Sequence, residues 1–284
     1  MHSAVATAAT TASAKPYRGR IGRWALNGAA ALALGFILLP LLLVTWLAFF
    51  RQEIPSFPPE GYSLKWFGAV LTNKSFAGGF VLSFQVGVAA TLIGLALAVP
   101  ASLAIARRRF RGRGAVAALL LMPLIVPGVV LGTAIYVFQI ETELATSLPL
   151  LGSTLGLIAA HVLIVIPWAA RLVTASLAGF DPAIEEAAKN LGAPPWTTFR
   201  RVTLPAIRPG IVAAALFGFV ISFGNLELSL FLVGAGRTTL PIAILQYLEW
   251  KIDPTVAAVS VMQIALIAAA MMLTDRYVKI ARVV

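Results

Sequence analysis

The sequence predicts an all-α membrane protein with six transmembrane helices, and three observations lead there. Hydrophobic residues make up 60% of the 284-residue chain and charged residues only 12%, against roughly 25% charged in soluble domains. The apolar residues fall into six runs long enough to cross a bilayer, which takes about 20 residues. The 22 Lys and Arg sit in short clusters between those runs and, against 11 Asp and Glu, give a net charge of +11. Such a composition excludes an ordinary soluble domain, and it excludes disorder, which needs low hydrophobicity and high charge. No cysteine is present, so disulfide frameworks, cysteine-ligated zinc, iron–sulfur clusters and thiol catalysis are excluded.

The runs cover 24–50, 79–106, 115–139, 155–175, 210–233 and 256–273. Backbone groups left unpaired in lipid are costly, so each run is read as a helix. None alternates as the strands of a membrane barrel do. The first run is far too long for a signal peptide and lacks a clean cleavage site. Residues 1–23, rich in Ala, Ser and Thr at their start, read as a largely disordered cytoplasmic tail, and 24–284 as the transmembrane domain.

Charge sets the sidedness. Seventeen basic residues share one side: Lys15, Arg18, Arg20 and Arg23; Arg107, Arg108, Arg109, Arg111 and Arg113; Arg171, Lys189, Arg200, Arg201 and Arg208; Arg276, Lys279 and Arg282. The opposite loops hold Arg51, Lys65, Lys74, Arg237 and Lys251 only. The excess of positive charge marks the cytoplasmic side, and both termini fall there. The run Arg107–Arg113 is read as a topology determinant beside anionic lipid, not as a nucleic-acid site.

One connection, 176–209, is long enough to be functional. Asp181-Pro182 opens a helix as N-cap and first-position proline. Ala183, Ile184, Ala187, Ala188 and Leu191 then recur at helical spacing, with Glu185 and Lys189 placed for an i,i+4 pair. Gly192 supplies a left-handed cap and Pro194-Pro195 prevents continuation. A second short helix is expected over 196–202, before Leu204-Pro205 leads into span five.

Glu186-Ala187-Ala188, three residues, Gly192, nine residues, then Val202-Thr203-Leu204-Pro205 resembles the EAA loop of ABC-importer permeases, EAA-x3-G-x9-I-x-L-P, with Val202 in place of isoleucine. Further text resembles the spermidine/putrescine-type subgroup, in particular the second of its paired membrane subunits: Met122–Gly128, His161-Val162, Ile166-Pro167-Trp168 and Thr239-Leu240-Pro241. The resemblance implies a type I importer permease fold in a bacterial cytoplasmic (inner) membrane. It also implies that the EAA loop forms coupling helices that dock into an ATPase subunit. The Ala-rich face and Gly192 would enter its cleft, with Glu185 and Glu186 meeting the rim. Leu204 and Pro205 complete the motif. The implied partners are ABC nucleotide-binding subunits, a paralogous second permease and an extracytoplasmic solute-binding protein. Ferric-iron, phosphonate and sulfate permeases share much of this text, so the solute stays open.

An ionisable residue inside a span is a functional candidate, and Glu227 is the acid placed well inside one. Ser222, Asn225 and Ser229 are spaced to share a helical stripe, with Glu227 on an adjoining face or in an unwound turn near Gly224. A carboxylate there suits an amine cation. The subgroup often carries paired aspartates earlier in this stretch, where Gly224-Asn225 stand here, so a polyamine, a less charged amine and an amino-acid-like solute all stay open. Tyr136 and Gln139 are expected near the outer end of span three, as pathway residues or, for the tyrosine, as an interfacial anchor. His161 is expected to hydrogen-bond between helices, while Pro123, Pro127 and Pro167 bend theirs.

No G-x-x-x-x-G-K-[ST] occurs, so this chain is not expected to hold ATP, and ATP with Mg2+ is assigned to the partner ATPase. No catalytic or metal motif appears. A secondary transporter and a membrane enzyme are the remaining classes. The first would need an inverted repeat, which the halves do not show, and the second a polar cluster at the membrane surface.

Overall fold

The computed structural model describes residues 20–277. The disorder expected before residue 20 falls outside that range, as do Lys279 and Arg282. Within it the chain is helical, with no sheet among the described residues beyond two isolated bridges.

The elements follow in order. α1 is Arg20–Leu47, so it begins before the expected residue 24. α2 (Lys65–Thr72) is a short surface helix that leads to α3 (Lys74–Arg107), the longest element at 34 residues. α4 (Arg113–Leu121), a 3₁₀ turn (Met122–Leu124) and α5 (Gly128–Thr146) follow. Next come α6 (Thr154–Ala178), α7 (Pro182–Asn190) and α8 (Pro195–Thr198). A π turn (Phe199–Thr203) joins α8 to α9 (Leu204–Phe223). α10 (Glu227–Leu232), α11 (Leu240–Trp250) and α12 (Thr255–Tyr277) complete the chain. Six helical stretches among the described residues are long and apolar enough to cross a membrane.

α3, α6 and α9 form the centre and pack most extensively on one another. Their seam is built from small residues: Ala98, Ala169, Ala170, Ala213 and Ala214 are buried. A Cβ added at Gly94 would lie 2.7 Å from Val165 Cγ1, and one at Gly218 would lie 2.9 Å from the same atom. Close backbone approach of this kind drives association where lipid removes the hydrophobic incentive. By contrast, the spanning part of α1 buries nothing in this chain.

Two expected spans are displaced, for physical reasons. The third crossing is 128–146 rather than 115–139. Pro123 lies in a 3₁₀ turn, and Pro127 becomes the N-cap of α5, because its ring denies Val126 the helical region. Glu141 and Glu143 hid the true end by lowering hydropathy. Glu143 in fact accepts from Leu150 and Leu151 N–H, at 3.2 and 3.0 Å, and ties down the loop after α5.

The expected fifth span, 210–233, is instead a helix over Pro195–Phe223 followed by a break. The helix expected over 196–202 therefore has no end of its own: Leu204-Pro205 sits inside a continuous rod. Pro205 lacks an N–H and would clash with the carbonyl of Arg201 in a regular helix. The wider π turn immediately before it, where Leu204 N–H reaches Phe199 C=O, removes that conflict.

Candidate functional site

The residues singled out by sequence gather at two places, and the first is the EAA loop. Asp181 caps α7, its Oδ1 accepting from Ala183 N–H at 2.9 Å. The helix ends in a Schellman turn, in which Ala193 N–H donates to Ala188 C=O at 3.1 Å and Gly192 N–H to Lys189 C=O at 2.9 Å. Gly192 closes the turn at φ +85°, a conformation that glycine adopts without strain. A Cβ there would meet nothing within 4 Å, so the surface around it is open.

The loop has two faces of different character. Glu186, Ala187 and Gly192 face outward with Leu191 (89% exposed) and Trp196 (68%). Large apolar side chains standing in the open beside small residues mark a contact surface. Glu185 turns the other way. Its Oε1 accepts from Thr203 Oγ1 at 2.8 Å and lies 3.4 Å from Arg107 Nη2, with 12% of the Glu185 and 22% of the Arg107 side chain exposed. The Arg107 guanidinium also lies over the Phe180 ring, 5.4 Å from its centroid. Two expectations are corrected here. Glu185 faces its own chain, not an open rim, and it is held by Arg107 in place of Lys189. Because Arg107 ends α3, the pair fastens the EAA loop to the central helix of the bundle. Ala188 and Leu204 are half-buried and Pro205 is exposed.

The second place is the break after Phe223. Asn225 Oδ1 accepts from Leu228 N–H at 2.9 Å, and its carbonyl accepts from Ser229 Oγ at 2.8 Å. This local alternative to the helix ladder, following Gly224, ends α9 and starts α10. The shared stripe of Ser222, Asn225 and Ser229 is therefore broken, and the unwound turn near Gly224 is the arrangement found. Ser222 is buried, its Oγ 2.8 Å from His161 Nδ1 across the α6–α9 seam. Ser229 is buried as well.

Glu227 stands exposed as the first residue of α10. Its carboxylate lies on Gly128, the first residue of α5, where any Cβ would collide with Glu227 Oε2. One turn on, Gly132 leaves room for the Phe231 ring. The breaks in the third and fifth crossings thus meet, and an accessible carboxylate sits at their junction. Tyr136 lies farther along α5, 37% exposed. Gln139 is corrected as a pathway residue: it is buried, and its Nε2 donates to Gly156 C=O at 2.9 Å. Sequence reasoning named Arg107, Thr203 and Gly128 but missed these roles, each defined by a partner distant in the chain.

Residues 90–282 match the family described as binding-protein-dependent transport system inner membrane component. The chain belongs to that family. The putrescine transport system permease protein PotI of Escherichia coli K12 is 29% identical over 232 residues, covering 81% of this chain and 82% of PotI. The spermidine/putrescine transport system permease protein PotC of Haemophilus influenzae is 27% identical over 219 residues, covering 76% and 82%. A bacterial ABC transporter involved in the import of the acidic polysaccharide alginate shares the fold, with TM-score 0.68 and 17% identity, over 93% of this chain and 99% of that one. The permease is thus a non-enzymatic membrane subunit of an ABC importer, which works with a separate ATPase subunit and a solute-binding protein.

Proposed function

We propose that the permease is the second of two paralogous membrane subunits of an importer for a small organic amine of the polyamine class, with both termini in the cytoplasm. ATP and Mg2+ are bound by the partner ATPase subunits, which grip the EAA loop through Leu191, Gly192 and Trp196. The observation that carries the solute class is Glu227, an exposed carboxylate at the meeting of two broken crossings. The names of the relatives PotI and PotC support the same class. A second subunit is supported by α1, whose spanning part buries nothing here, and by the open position of Glu227, which this chain alone does not enclose. The sequence assigns seventeen basic residues to the side of the EAA loop and five to the other, which supports the orientation.

The test is ATP-driven uptake of radiolabelled putrescine by the complete importer in proteoliposomes. Glu227→Gln is expected to lower uptake at least about tenfold, the loss of one hydrogen bond to a charged group. ATPase association should be unaltered. Wild-type uptake by the variant would remove Glu227 from the pathway.

A further inference from the structure

Opposite the EAA loop, at the far end of α3 and α6, the surface opens into a cleft of about 670 Å³. Its walls are the first turn of α3 (Lys74, Ser75), the first residue of α6 (Thr154), the loop 233–238 and Gln246 of α11. α3 runs from Lys74 in the cleft to Arg107 at the EAA loop. At 1.5 Å rise per residue the two sites are about 50 Å apart, on opposite faces of the membrane.

The cleft is one-signed. Lys74 and Arg237 both line it, and no Asp or Glu does. Neither cation lies within ion-pair distance of a carboxylate among the described residues. Arg237 Nη1 donates to Thr154 Oγ1 at 3.2 Å, which holds the guanidinium over the start of α6. The loop that carries it is anchored, since Val233 bridges Gly152 and Arg237 N–H donates to Gly234 C=O at 3.1 Å. Two long helices, of 34 and 25 residues, therefore direct their positive ends into the same opening. Lys74 stands at the helix end where a cation is unfavourable and an acid would stabilise. Folding thus gains nothing from a lysine here, whereas an incoming carboxylate does. Among the five basic residues on this side of the sequence, these two are the ones that share a cavity.

We infer that the Lys74–Arg237 cleft is a docking site for acidic side chains of the extracytoplasmic solute-binding protein. Carboxylates enter between the two cations and the two helix starts. This rests on the importer orientation proposed above. Charge complementarity selects a protein carboxylate over the solute, because a polyamine cation is repelled from this cleft and attracted to Glu227. The two signs divide the labour, with cations receiving the carrier and the carboxylate receiving its cargo.

The experiment uses the complete importer in nanodiscs and measures ATP hydrolysis against the concentration of its solute-loaded binding protein at 50 and 300 mM NaCl. Lys74→Glu with Arg237→Glu should raise the half-saturating concentration by about tenfold per reversed charge. It should also flatten its salt dependence, while hydrolysis without binding protein stays unchanged. Lys74→Arg with Arg237→Lys should stay within about threefold of wild type. A wild-type half-saturating concentration insensitive to salt would overturn the proposal even if the reversed-charge variant fails to assemble. An unchanged half-saturating concentration in that variant would overturn it too, as would lost uptake alone, which would assign the cleft to an anionic solute. Absence of any stimulation in the wild type would instead refute the importer reading itself.

Discussion

Removing Glu185 should loosen the grip between the permease and its ATPase, although Glu185 faces away from the exposed surface of the loop. At 3.4 Å the Arg107–Glu185 attraction is about 5 kcal/mol for an effective dielectric near 20. Desolvation and side-chain ordering cancel most of that. Exposed pairs retain ~0.2–1 kcal/mol, and breaking a fully buried pair costs ~3–5 kcal/mol. With 12% and 22% of the two side chains exposed, plus the Thr203 hydrogen bond at 2.8 Å, the coupling should be about 1.5 kcal/mol. That converts to about a tenfold change in affinity if the ATPase binds only the fastened loop. The assay is a double-mutant cycle on ATPase binding to nanodisc-embedded permease, with Glu185→Ala, Arg107→Ala and the pair. Each single variant should weaken binding about tenfold, and the double variant should be no worse than either, because the second change removes a partner already lost. Multiplying losses, about a hundredfold for the double variant, would refute the strut.

Two further outcomes follow from glycines with opposite surroundings. At Gly192 both Gly192→Ala and Gly192→Trp bear the same left-handed backbone cost of about 1–2 kcal/mol, and a Cβ there meets nothing within 4 Å. Their melting temperatures should agree while the tryptophan binds ATPase at least about tenfold more weakly, and equal binding would place the docking surface elsewhere. At Gly94 the added methyl of Gly94→Ala strikes Val165 Cγ1, so stability in detergent should fall by about 1–3 kcal/mol. Val165→Ala in the same chain should return most of the loss; an additive loss would show that the seam can give way.

Much of the fold was legible because hydropathy and charge placement act locally. Spans one, two, four and six lie close to their expected positions. Span three was misplaced because its prolines interrupt the apolar text, while Glu141 and Glu143 sit inside the helix that crosses. The break in span five was half legible. Gly224-Asn225 is a visible signal, but the bonds from Leu228 and Ser229 that fix it depend on local geometry. The EAA loop was readable as a helix, a glycine turn and a second helical segment, yet the direction of Glu185 was not. Its partner Arg107 lies 78 positions earlier, and only the packing of α3 against the loop brings them together. Lys74 and Arg237 are farther apart still, and nothing in their neighbouring text links them.

The unbroken run Pro195–Phe223, 29 residues beginning inside the docking loop, has a mechanical consequence. Such a rod is about 43 Å long, and pivoting it by 5° about its middle shifts each tip by roughly 2 Å in opposite directions. In the proposed assembly one tip lies in the loop held by the ATPase, and the other stops at Gly224, three positions from Glu227. On the proposed function, a tug at the inner leaflet would thus reach the break beside Glu227, the carboxylate proposed to meet the cargo.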